Sequence, residues 1–332
     1  MTPSCQTTAT SLTPTGGPSA PVASEGMEHV RWLAELELTN PIVVAGFTGW
    51  NDAGDAASTA MRSLISTPGL DGRAARALAE IDPEPFTDFA TVRPQVRLDA
   101  ERHRTIVWPA IGIWGVSMPG ADVVLVLGPE PALRWRGFCE QITGLARHLG
   151  SPLVLTLGAL LADVPHTRPV QLIGTATDPS LAERFELERS RYEGPTGIVG
   201  VLQHALDAAG IPAASLWAAV PGYASQLPSP KAALTLLERA CSIMGTPAPA
   251  GQLRAEAAEY EQRVSSLVAE DDDLELYVAR LESMLDEMGV GDDLDEVAAE
   301  PDEETTSDPE LVDGDELLEE VERFLRDQDG ES

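Results

Sequence analysis

The sequence predicts an α/β protein: a mostly parallel sheet with helices on both faces, followed by a small C-terminal helical hairpin. Three observations carry this. Between residues 122 and 244, short apolar runs alternate with helical stretches, and turns rich in glycine and proline separate them. Strand–turn–helix–strand units of this kind build parallel strands with covered faces. The runs Asp122–Leu127, Pro152–Leu157 and Ala214–Val220 are almost wholly apolar, as expected of strands buried on both sides. After residue 252 the apolar spacing changes to that of a helix.

In chain order, residues 1–26 are mostly Ser, Thr, Pro, Gly and Ala without periodicity, and are expected to be disordered. Order is expected from Met27. Pro41–Phe47 reads as a strand ending in the turn Thr48–Asp52, and Ala53–Ile65 as a helix of small residues. Phe89–Leu98 and Thr105–Trp108 read as strands. Gly128–Pro131 is a turn, and Ala132–Leu149 a helix closed by Gly150. Thr196–Ala209 is a helix stopped by Gly210, and Ser229–Met244 another with Pro230 in its first turn.

Leu253, Ala257, Tyr260, Val264 and Leu267 form one stripe, and Leu274, Val278, Leu281, Leu285 and Met288 a second. Asp271–Asp273 interrupts them and suits an N-cap. The resulting plan is a leader (1–26), an α/β domain (27–250), a helical arm (251–290) and an acidic tail (291–332). Within the tail, Leu317, Leu318, Val321, Phe324 and Leu325 mark a short amphipathic helix over 316–326. So short a helix is marginal alone, so it docks on its own protein or recognises another.

Charge and composition exclude several functions. The 332 residues carry 54 Asp and Glu against 22 Lys and Arg, a net charge of −32. From Gly251 onward there are thirty acidic residues and five basic ones. Nucleic-acid binding and docking on anionic membranes both need the opposite sign. No apolar run approaches the ~20 residues that span a bilayer, and the N-terminus lacks a signal-peptide pattern. Three dispersed cysteines support neither a disulfide framework nor a zinc site, so a reduced, cytoplasmic setting is expected. No metal or cofactor is implied.

In an α/β sheet, ligands gather at the carboxyl ends of the strands, and unusual polar residues lie there. Gly49–Asp55 carries Asn51, Asp52 and Asp55 between a strand and a helix. These residues either line a pocket or cap the helix; the segment lacks the glycine pattern of a dinucleotide site. The loop after Leu157 carries Asp163, His166 and Arg168. A histidine near a carboxylate can carry protons, yet no serine or cysteine elbow accompanies it, and the loop is equally explained by hydrogen bonds that pin it. Glu193 and Thr196 precede a helix that Thr196 can cap. Glu130 and Arg134 could hold a ligand or pair with each other one turn apart. His29, His103, His148 and His204 stand alone, and Cys139 and Cys241 read as buried apolar residues.

Several long stretches resemble one family: GFTGWNDAGDAA, DVVLVLGPEPALRWRGFCE, LTLGALLADVPHTRP, SRYEGPTGIVGVL, LWAAVPGYASQLPSPKA and LVAEDDDLELYVARLE. They are similar to the bacterial, actinobacterial branch of the proteasome assembly chaperone 2 family, over about Val30 to Met288. The resemblance implies a phosphorylase/hydrolase-like α/β fold and a homo-oligomer, a trimer by analogy with phosphorylases. It also implies protein partners related to the proteasome, since eukaryotic relatives assemble the α-ring by binding subunits. Two functions follow as expectations. The first is a non-catalytic binding or assembly protein, with the tail stripe as a partner-binding element. The alternative is an enzyme or small-molecule binder with a pocket at the strand ends.

Overall fold

The computed structural model describes residues 26–99, 102–190 and 192–288; residues 1–25 of the expected leader 1–26 and the expected tail helix 316–326 lie outside them. Four strands form the centre of an eight-stranded sheet: β2 (Ile42–Thr48), β7 (Ala121–Pro129), β8 (Val154–Ala162) and β10 (Ala213–Pro221). They run parallel in the order β7-β2-β8-β10. The register sets Val44 between Leu125 and Leu155, and Val43 between Val124 and Val154. Successive residues face opposite sides, so Val44 joins one core and Val43 and Ala45 the other.

One core is closed by α1 (Ala56–Ser66) and α5 (Pro230–Met244), the other by α2 (Trp135–His148) and α4 (Ile198–Ala208). The expected two-sided cover therefore holds. Both faces of the central strands are buried, which is why their sequences are largely apolar; the buried hydroxyls of Thr156 and Ser215 bond each other at 2.8 Å.

The flanks differ from the parallel centre. On one side β6 (Ile111–Met118), β3 (Arg76–Ile81) and β1 (Val30–Trp32) pair antiparallel in turn, and on the other β9 (Leu172–Ala176) pairs antiparallel with β10. None of these four strands is legible as a run. In β6, apolar residues alternate with Gly112 and Gly115. A Cβ on Gly112 would lie 2.1 Å from the Trp114 ring, so these glycines make room for neighbouring side chains. A short helix α3 (Pro179–Phe185), capped by Asp178, follows β9.

The expected strand Phe89–Leu98 shrinks to β4 (Gln95–Leu98), because residues 88–92 close in a turn bonded to Asp88. β4 pairs only with β5 (Arg104–Val107), as a ribbon separate from the main sheet.

The helical hairpin is α6 (Gly251–Val268) and α7 (Asp272–Met288). α6 lies along α5, burying Leu253, Ala257, Tyr260, Val264 and Val268; Leu267, expected on the stripe, is exposed. The drift of 3.6 residues per turn away from a strict 4,3 spacing accounts for the change. Asp271 caps α7 as expected, its Oδ1 accepting from the backbone of Asp273 and Leu274.

Candidate functional site

The carboxyl ends of β7, β2, β8 and β10 share one edge of the sheet. Since β6 is antiparallel to β7 and β3 to β6, the connection from β3 to β6, residues 82–110, leaves from the same edge. There β2 leaves the sheet through Gly49, whose φ of +116° only glycine adopts freely. This turn exposes Trp50 and buries Asn51 completely.

The loops of this edge meet at Glu130. Its backbone N–H donates to Thr48 O. Its Oε1 accepts from Asn51 Nδ2 at 2.6 Å and from the backbone N–H of Ile198, in the first turn of α4, at 2.8 Å. A carboxylate on the positive end of a helix is favourable, and it fills the place an anionic ligand would take. The Asn51 carbonyl in turn accepts from Ala159 N–H of β8. Gly197 sits against the Asn51 amide, where a Cβ would fall 2.3 Å from Oδ1. That Oδ1 has no partner among the described residues.

Glu130 therefore does not pair with Arg134 one turn on. Its Oε1 ties three loops together, while Arg134 is exposed at a φ of +52°. Nor does Thr196 cap α4. The N-cap is Gly197, with no side-chain bond, and Glu130 supplies the acceptor from another element. Asp52 takes the capping role at α1, accepting from Ser58 N–H at 3.1 Å. Burial pushes its carboxyl pKa up, against the Ser58 hydrogen bonds. Asp55, Glu193 and Thr196 are exposed.

Asp163, His166 and Arg168 form a second group, further along the edge beyond β8. Each is held by the helical hairpin or the turn after β10. Tyr223 Oη accepts from His166 backbone N–H at 2.7 Å and donates to Nδ1 at 2.8 Å. His166 Nε2 faces Ser265 Oγ at 2.9 Å, and Ser265 donates onward to Glu261 O. The network accommodates a neutral ring protonated at Nε2. Burial, then the nearby Lys231 ammonium, lowers the His166 pKa, while Glu261 and Glu282 oppose this. Lys231 Nζ donates to Arg168 O at 2.9 Å and pairs with Glu261 at 2.8 Å.

Arg168 grips Asp286 of α7 with two bonds, 2.9 and 2.7 Å, and Thr167 bonds Glu282. Asp163 accepts from Tyr277 at 2.8 Å. The loop is thus pinned from outside itself, by Tyr223 after β10, by Lys231 of α5 and by α6 and α7. The sequence reading missed Tyr223, Ser265, Tyr277, Glu282 and Asp286. Its only available signal was the pair of acids one turn apart on α7.

No described hydrogen bond joins this group to the Glu130 group, so the polar strand-end residues divide between two structural roles. A recess of about 360 Å³ opens on the opposite, amino edge, between Thr39, Met118, Asp122 and Met244. No group of acids, histidines and cysteines fit to hold a metal occurs among the described residues. Beside the exposed Asp55, Arg134, Glu193 and Thr196, the carboxyl edge presents large apolar side chains: Trp50 is 63% exposed, Tyr192 58%, Leu133 51% and Leu161 42%. Their loops are fixed: Leu133 N–H bonds Phe86 O, Tyr192 Oη donates to Pro195 O, and Trp50 adjoins Asn51. None of the four is marked by periodicity, since each sits in or beside a turn.

The PAC2 family profile matches residues 46–268. A PAC2 family protein of Streptomyces avermitilis is 45% identical, covering 72% of this chain and 99% of its own, with a TM-score of 0.66. A proteasome-assembly chaperone homologue of Mycobacterium tuberculosis is 44% identical, covering 71% and 99%, with a TM-score of 0.64. An archaeal proteasome activator of Pyrococcus furiosus shares the fold at 20% identity and a TM-score of 0.55, over 72% and 97%. Among curated proteins none matches the chain. A profile spanning two thirds of the sequence, with relatives this similar over nearly their whole length, establishes that the chain belongs to the PAC2 family.

Proposed function

We propose that this protein is a non-catalytic, protein-binding assembly factor whose partners are proteasome-related, and that the carboxyl edge of its sheet is the binding surface. The observation that carries the reading is the exposure of Trp50, Leu133, Leu161 and Tyr192 along one edge of the sheet, Trp50 and Leu133 on the loops that Glu130 joins. Exposed aromatics on a preorganised frame suit protein recognition, because little side-chain entropy is lost on docking. Asn51, Glu130 and His166 are engaged in hydrogen bonds that fix loops and helices.

Support for the partner class comes from the 44% identical relative, named a proteasome-assembly chaperone homologue. The reading places the protein in the cytoplasm as a homo-oligomer, with three copies as the working number. It is tested by biolayer interferometry of the full chain against purified proteasome subunits of its own organism. Binding is expected, and Trp50→Asp with Leu133→Asp should weaken it at least tenfold, as loss of central apolar anchors does. Absence of binding to every subunit overturns the reading; binding that ignores both substitutions moves the surface elsewhere.

A further inference from the structure

Lys231 is the one lysine in the chain, against twenty-one arginines. It also stands where a cation is least favoured, in the first turn of α5, at the positive end of that helix's dipole. Three acceptors hold it there. Nζ donates to His166 O and, at 2.9 Å, to Arg168 O, and pairs with Glu261 at 2.8 Å. An ammonium has three N–H donors, so all three are taken. The side chain is only 17% exposed. A compact ammonium can meet three converging acceptors, which the flat fork of arginine does not match.

None of those acceptors belongs to α5. Glu261 is on α6. His166 and Arg168 are on the loop after β8, whose side chains bond Ser265, Glu282 and Asp286 of the hairpin. Leu253, at the start of α6, joins the core under α5. Beyond it the hairpin rests on a cluster of its own, Tyr260, Val264, Val268 and Val278 with Ala224. Lifting that part of the hairpin removes Glu261 directly and frees the loop, while α5 stays in the main core through Leu236, Leu237 and Ala240. The amine is then open to solvent, without its acceptors, at the positive end of a helix.

We infer that Lys231 is a gated acylation site, closed while the hairpin is docked and open to acyl thioesters or acyl phosphates when it lifts. In the step, Nζ attacks the acyl carbon, and the C–N bond forms as the bond from that carbon to sulfur or to phosphate oxygen breaks. The ammonium gives up two protons, one to the leaving group and one to solvent. The amide that results has one N–H and no charge, so it cannot rebuild three bonds or pair with Glu261. It also relieves the helix end of its cation. Acylation therefore holds the hairpin off.

Acetylation of the full chain by N-hydroxysuccinimidyl acetate at pH 8, followed in time by peptide mass spectrometry, tests this. In the parent, Lys231 should react on the order of a hundredfold more slowly than the lysine of a short peptide of the same sequence, the factor for a state open about 1% of the time. Val264→Ala removes two buried carbons from the hairpin's own cluster and should speed the reaction about tenfold. Arg168→Ala cuts a partly exposed ion pair to α7 without touching a core, and should speed it about two- to fivefold. In the purified acetylated protein, amides of α6 and α7 should exchange about tenfold faster than in the parent, as loss of charged hydrogen bonds implies, while those of β2 and β8 keep their rates. Acetylation of the parent as fast as the peptide, or equally fast in the parent and both variants, overturns the proposal. So does an acetylated protein whose hairpin exchanges like the parent's.

Discussion

Glu130 tests whether one carboxylate organises the carboxyl edge, and Glu130→Ala is the perturbation to make. Its Oε1 accepts from Ile198 N–H at 2.8 Å and from Asn51 Nδ2 at 2.6 Å. Loss of the first resembles loss of an N-cap, about 1 kcal/mol. Loss of the second orphans a fully buried amide whose Oδ1 is already unpartnered among the described residues, at about 1–3 kcal/mol. The sum is about 2–4 kcal/mol, which in a domain of this size lowers Tm by about 5–15 °C. Glu130→Gln keeps an acceptor and removes only the charge at the helix end, about 0.3–1 kcal/mol. Differential scanning calorimetry of both variants should therefore separate them clearly. Asn51→Ala with Glu130→Ala should cost less than the separate effects added, because no amide is then orphaned. If Glu130→Ala melts within ~2 °C of the parent, or no lower than Glu130→Gln, the carboxylate does not hold these loops and the reasoning fails.

Gly197→Ala places a Cβ 2.3 Å from Asn51 Oδ1 and should destabilise by about 1–3 kcal/mol in urea titration, as overpacking does; a neutral result means that the amide can move. The His166 pKa is lowered in the folded state, chiefly by burial. A group of this kind contributes stability above its unfolded pKa of about 6.5 and loses it as pH falls toward the folded value. Exchange in α6 and α7 should rise below about pH 6.5 in the parent, and His166→Asn should flatten that rise; an equally steep rise in the variant would assign it to another group. Asp286 is shifted down by its bonds to Arg168, so that contact should persist as pH drops through the usual carboxylate range and fail only below it. Burial raises the Cys139 and Cys241 thiols to about 12, so neither should react with a thiol reagent at pH 8 until the protein unfolds; prompt labelling of either would show an open core.

Several elements were legible in the chain for a single reason. β2, β7, β8 and β10 are buried on both faces, which forces unbroken apolar runs such as Val123–Leu127. The stripes of α6 and α7 follow the 3.6-residue period, and glycines at 150 and 210 end their helices in the left-handed region only glycine takes easily. The flanking strands escaped because what completes them is far away in sequence. Arg76–Ile81 reads as nothing until Leu78 meets Gly115, and the glycines of β6 make sense only once Trp114 covers Gly112.

The candidate site divides in the same way. That Asn51, Glu130 and His166 are unusual at strand ends follows from the sequence, because a turn leaving a buried strand has little reason to carry them unless they bond to something. What they bond to does not follow. Glu130 finds Ile198 sixty-eight residues on, and His166 finds Ser265 ninety-nine residues on. Composition, period and turn chemistry are local or summed properties, so residue order alone determined the α/β class, the central strands and the acidic end of this protein. The assignment of each polar side chain to a structural bond, and the exposure of Trp50 and Leu133, depended on which surfaces met when the layers closed. That was decided only by the tertiary structure, because packing sums interactions between segments whose spacing in the chain carries no record of their contact.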